Sequence, residues 1–223
     1  MNQTMNQTMN PVKFRILSDL HLEFYEKTKD LFSNIVLTNQ DCESYLILAG
    51  DIGYPLTQKN AVNHGSTTNT TRLSGLYIDL LNYFKSKFKG VILVAGNHEY
   101  YECRCLGINP NAVDVALYDI CQATGVIFLQ KDSVQIEPGL WVHGCTLFSD
   151  VTFADSQQMN DVSNIASRDT IVNIHKDHMN WLCNTLGISG PVYKNADSKS
   201  NKLLSNKLPP LTFNNKFLPS ADH

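Results

Sequence analysis

The 223-residue sequence has no apolar run long enough to span a bilayer, which takes about 20 residues as a helix. It has no excess of positive charge either. The net charge is -3 and the pI is near 6.1, so bulk charge leaves no footprint for nucleic acid or an anionic membrane. The start, Met1 to Asn10, repeats a polar Met-Asn-Gln-Thr unit and does not read as a secretory signal. Residues 1–11 are expected to be a disordered lead-in. The six cysteines, Cys42, Cys103, Cys105, Cys121, Cys145 and Cys183, fit no common zinc spacing. Reduced, mostly buried thiols are expected, in a cytoplasmic protein.

What the chain does contain is core. Its residues are 43% apolar and 17% charged, which suits one domain. Val12, Phe14 and Ile16 alternate with Lys13 and Arg15, the period of a half-buried strand. Tyr45 to Ala49 and Val91 to Ala95 are continuous apolar runs, which suit buried parallel strands. Leu73, Leu76, Tyr77, Leu80, Leu81, Phe84 and Phe88 fall at helical steps between them. Strand, crossover helix and strand make a βαβ unit, so the fold class is α/β. Residues 53–71 are polar and read as a surface loop. A helix over Val113 to Thr124, a strand over Val126 to Leu129, a hairpin turning at Pro138-Gly139 and a helix over Thr170 to Leu186 follow. From residue 188 to 223 Asn, Lys, Ser and Pro dominate, and a disordered tail is expected.

Each of these three expected strands ends in groups of the kind that bind metals. Ser18-Asp19-Leu20-His21 follows the first, Gly50-Asp51 the second and Gly96-Asn97-His98-Glu99 the third. In open α/β sheets, sites form beyond the carboxyl ends of the strands. Asp19, His21, Asp51 and Asn97 offer two carboxylates, an imidazole and an amide oxygen, a set for Mn²⁺, Fe²⁺, Zn²⁺ or Mg²⁺. In Asp19-Leu20-His21, alternate residues face one side and reach one ion. His98, beside a ligand, is left free to donate a proton.

Asp19-Leu-His21, Gly50-Asp51 and Gly96-Asn-His-Glu99, in this order, resemble the calcineurin-like metallophosphoesterases. Trp141-Val-His-Gly-Cys-Thr-Leu-Phe-Ser149 and Met159-Asn-Asp161 look like the same family. The resemblance implies a β-sandwich flanked by helices (α/β/β/α). It implies two divalent cations, with Asp19 and His21 on the first, Asp51 bridging and Asn97 on the second. It also implies a phosphate-ester substrate, with His98 orienting the phosphate or protonating the leaving oxygen. Glu99 is expected to support His98 or its loop through hydrogen bonds.

The family's later lone His and Gly-His-x-His blocks have no counterpart here. A truncated domain over residues 12–187 with an incomplete second sheet is therefore expected, and with it a possible protein partner covering an exposed core edge. His143 reads as a strand histidine, and His175 and His178 as solvent-edge or structural groups on a core helix. The function expected is a metal-dependent phosphoesterase. The competing expectations are a catalytically impaired scaffold of the same fold, or a truncated gene product.

Overall fold

The computed structural model describes residues 11–26, 32–63, 66–152 and 159–189. The lead-in over residues 1–10, His64, and the tail from residue 190 lie outside the described residues.

Strands β1 (Lys13–Leu17) and β2 (Ser44–Ala49) pair in parallel, with Phe14 opposite Tyr45 and Ile16 opposite Ile47. Strands β3 (Leu56–Asn63) and β4 (Ser66–Leu73) then form an antiparallel hairpin. Helix α1 (Gly75–Lys85) crosses to β5 (Gly90–Val94), which lies parallel to β2. Helices α2 (Cys103–Leu106) and α3 (Pro110–Thr124) lead to the short β6 (Ile127–Phe128), parallel to β5. Strands β7 (Asp132–Glu137) and β8 (Leu140–Gly144) pair antiparallel, and helices α4 (Asn160–Asn164) and α5 (Arg168–Leu186) follow. The main sheet has the order β1-β2-β5-β6.

The β3–β4 hairpin replaces the expected loop. In sequence its second strand is rich in threonine, a residue type common in strands. Apolar alternation, which would have signalled a strand, is missing. Helices α3 and α5 start a few residues before their periodic patterns, whereas α1 starts at Gly75 and ends at Lys85, inside its pattern, because Leu73 closes β4. Ser74 accepts a hydrogen bond from the Tyr77 N–H and caps α1. Asn109 caps α3, and Pro110 fits its first turn because no backbone donor is needed there.

Leu46, Leu48, Val91 and Leu93 meet Tyr77, Leu80, Leu81, Phe84, Leu117 and Ile120 of α1 and α3 in one core. On the opposite face Tyr45, Ile92 and Leu129 meet Ile136, with Val134, Leu140 and Val142 beside them. Helices thus cover one side of a parallel sheet, and a second sheet, two-stranded among the described residues, covers the other. Phe14 and Ile16 stay 39% and 64% exposed on edge strand β1, in register with Tyr45 and Ile47. No described helix is long and apolar enough to cross a membrane.

Two features set the strand ends. At the first, the backbones after β2 and β5 touch. A Cβ on Gly50 would lie 2.7 Å from Gly96 Cα, and one on Gly96 would lie 2.2 Å from Asp51 Oδ1. Only glycine allows this approach. The second is Glu99, 1% exposed. Its Oε2 accepts from the N–H groups of Asp51 (3.1 Å) and Gly96 (2.6 Å). Its Oε1 accepts from Ile52 (2.6 Å), Gly53 (3.3 Å) and the Tyr77 hydroxyl (3.4 Å). Burial pushes the Glu99 carboxyl above the usual range, opposed by those backbone donors.

His175 and His178 are buried rather than at a solvent edge. His178 Nδ1 accepts from the Leu147 N–H at 3.2 Å, and His175 Nδ1 bonds the Phe148 carbonyl. Together they tether the loop after β8 to α5. Burial, with the nearby Lys131 charge, lowers the His178 pKa to about 4 from an ordinary 6.5.

The depressed His178 pKa keeps its stabilising effect above pH 6.5 and loses it as pH falls towards 4. Acidification across that window should cost up to about 3 kcal/mol. His178→Gln, which cannot titrate, should flatten that part of the pH profile in urea melts. Glu99→Gln places an amide donor against backbone donors, so a loss of about 2–4 kcal/mol is expected in the same melts.

Candidate metal centre

Because β1, β2 and β5 are parallel neighbours, their carboxyl ends lie along one edge. The chain leaving β1 runs beside the chain leaving β2. The Asp19 N–H bonds the Gly50 carbonyl at 3.2 Å, His21 bonds Asp51 at 3.1 Å, and Leu22 bonds Ile52 at 2.8 Å. Asp19, His21 and Asp51 have φ of 55°, 49° and 55°. Such left-handed backbone is uncommon outside glycine and clusters at functional sites. It differs from the simple strand alternation expected for Asp19 and His21, since β1 ends at Leu17. The side chains still converge. One ligand atom from each of Asp19, His21 and Asp51 lies within 4.8 Å of the others. Two carboxylates facing an imidazole make a donor set that fits a divalent cation.

Asn97 sits at the end of β5. Its Nδ2 donates to Asp161 Oδ1 at 2.8 Å and to the Tyr101 hydroxyl at 2.9 Å. Tyr101 itself donates to Asp161 Oδ1 at 2.9 Å. Burial and this acceptor push the Tyr101 phenol upward, so it remains a donor. With its nitrogen engaged, Asn97 is left to offer its oxygen elsewhere. Asp19, Gly50, Asp51, Asn97, Leu147 and Asp161 line a crevice of about 260 Å³. The loop tethered by His175 and His178 thus supplies one wall.

The His98 N–H donates to Asp51 Oδ1 at 3.0 Å, and its ring is partly open to solvent. That ring stacks on Tyr101 at 4.1 Å and meets the edge of His21 at 4.4 Å. Glu23, from the turn after β1, reaches both histidines. Its Oε1 is 3.0 Å from His21 Nδ1 and 3.0 Å from His98 Nδ1. Glu99 bonds the strand-end backbone and the Tyr77 hydroxyl. His143 pairs across the hairpin with Ser133 at 2.7 Å.

The structure therefore gathers every nominated residue, Asp19, His21, Asp51, Asn97, His98 and Glu99, at one edge of the sheet. Sequence reasoning gave no role to Glu23, Asp161 or Tyr101. A signal existed for Glu23, the continuation of Asp-x-His to Asp-x-His-x-Glu. None existed for Tyr101.

No curated protein matches the chain. Its fold is similar to the crystal structure of phosphopantetheinyl hydrolase (PptH) from Mycobacterium tuberculosis. The TM-score is 0.51 at 16% identity, over 78% of this chain and 62% of that one. The calcineurin-like phosphoesterase family matches residues 12–212, more than half of the chain. With that match over more than half of its length, the chain belongs to the calcineurin-like phosphoesterases.

Proposed function

We propose that the chain is a metal-dependent phosphoesterase. The observation that carries this is the gathering of Asp19, His21 and Asp51 donor atoms within 4.8 Å at adjacent strand ends. Asp19 and His21 would hold one divalent cation, Asp51 would be shared, and Asn97 would face a second. Such cations neutralise charge on a phosphoryl group and lower the pKa of water. Mn²⁺, Fe²⁺, Zn²⁺ and Mg²⁺ all suit these donors.

The protein's own part is placement and proton transfer. Asp161 and Tyr101 orient the Asn97 amide. The crevice wall from Leu147 to Ser149 limits access to the phosphate. His98, held by Tyr101 and Glu23, turns its Nε2 to the leaving oxygen. In hydrolysis, the bond from phosphorus to the leaving oxygen breaks as a bond to water oxygen forms. The water gives one proton to solvent. The leaving oxygen takes a proton from His98 and departs as an alcohol, and His98 regains its proton from solvent.

The absence of Gly-His-x-His from the sequence favours a second reading, a scaffold of the same fold with impaired catalysis. Direct measurement separates them. Mn²⁺ should bind the purified chain in calorimetry and stimulate hydrolysis of p-nitrophenyl phosphate; binding without turnover would mark the scaffold, and no binding would sink the phosphoesterase. Asp51→Asn should lower both Mn²⁺ affinity and turnover, the latter by at least about 100-fold. His98→Ala should lower kcat by about 10²–10⁴-fold with little change in Mn²⁺ affinity. A comparable loss of affinity would make His98 a ligand instead.

A further inference from the structure

Glu23, named above only as a group that holds His98, touches both kinds of machinery. Its side chain is 8% exposed, although its neighbour Phe24 is 78% exposed. The carboxylate is turned inward, away from water that would solvate it. Its Oε2 is buried without a hydrogen-bond partner. Its Oε1 meets His21 Nδ1 and His98 Nδ1, each at 3.0 Å, the second from 75 residues along the chain. The packing makes room for it. Gly53 has φ of 151°, and a Cβ there would lie 2.6 Å from Leu22 Cβ and 3.3 Å from Glu23 Oε2. A side chain at residue 53 would collide with Leu22, the residue before Glu23, and crowd the carboxylate.

An ionised carboxylate can only accept hydrogen bonds. Two imidazole nitrogens pointing at one such oxygen must both donate. The hydrogen then sits on Nδ1 of each ring, which leaves each Nε2 to act elsewhere. For His21 that atom is 4.0 Å from Asp19 Oδ1, on the side of the metal-ligand group. For His98 it is the atom that would meet an ester oxygen. The rings lock each other, edge to face at 4.4 Å, and Tyr101 stacks on His98 at 4.1 Å. Rotating either ring away from Glu23 would break that packing.

We propose that Glu23 is a positioning residue shared by two histidines: one oxygen aims His21 at the cation and His98 at the leaving group of the phosphate ester. The assignment rests on the phosphoesterase chemistry proposed above. It ties cation binding to leaving-group protonation through one side chain, so losing Glu23 damages both. A carboxylate that only filled space or stabilised the turn would leave the two histidines independent.

The test has one arm without activity and one with it. Two-bond proton–nitrogen NMR spectra of the metal-free wild type at pH 8 should show a proton on Nδ1 of both His21 and His98. A bare Nδ1 on either ring overturns the proposal, whether or not the protein is an enzyme. Glu23→Leu, similar in volume but without an acceptor, should scatter both tautomers. It should also weaken Mn²⁺ binding in calorimetry by about 10–100-fold. At saturating Mn²⁺ its kcat should fall at least tenfold further on phenyl phosphate than on p-nitrophenyl phosphate, whose leaving group needs less protonation. Unchanged Mn²⁺ affinity, or equal losses on the two esters, overturns it. Should Glu23→Leu fail to fold, Glu23→Gln carries the same readouts, with smaller changes in the same direction because one oxygen remains. A wild type that binds Mn²⁺ and hydrolyses neither ester would instead remove the phosphoesterase and leave the NMR result to judge Glu23.

Discussion

The Glu99 carboxylate, 1% exposed, takes hydrogen bonds from the N–H groups of Asp51, Ile52, Gly53 and Gly96 and from the Tyr77 hydroxyl. Everything else at the site depends on this clamp. Two parallel strands end side by side, and beyond them the backbone donors have no ladder partners. A buried charge supplies the acceptors, and the donors compensate its desolvation. Gly50 and Gly96 let the two backbones approach closely enough for one carboxylate to reach both. The clamp in turn fixes Asp51, whose Oδ1 is held by the His98 N–H at 3.0 Å.

Carboxylates recur around this edge with different duties. Asp19 is open to solvent and Asp51 faces the crevice, so both are placed to meet a cation. Asp161 accepts from Asn97 and Tyr101 and turns the amide. Glu23 Oε1 lies 3.0 Å from the Nδ1 of two rings. So much negative charge in one small region is costly unless donors or cations compensate it. The donors account for Glu99, Asp161 and part of Glu23. Among the described residues, Asp19 and Asp51 together with His21 make one group suited to a cation.

The second sheet and α5 shape access rather than chemistry. The hairpin of β7 and β8 covers one face of the main sheet through Ile136, Val134 and Val142. The loop leaving it is tied to α5 by His175 and His178. For His178 a buried neutral imidazole suits that task, since it can accept from a backbone N–H without a charge to desolvate. Phe14 and Ile16 on β1 mark where this cover stops.

The amino-acid sequence by itself determined the strands of the main sheet, the main helices and the candidate ligands at the strand ends. Apolar period and abrupt polar endings are local properties, legible along the chain. That is why Asp19, His21, Asp51, Asn97 and His98 could be nominated, and why the family match adds breadth to a set already in view. The β3–β4 hairpin escaped because the sequence over residues 56–73 has no apolar alternation to mark its strands. Only the tertiary structure decided which group each residue serves. Glu23 meets His98 across 75 residues, and Asn97 meets Asp161 across 64. Such pairs have no period to read. They exist because parallel strands bring distant loops to one edge, where each buried donor and acceptor must find a partner.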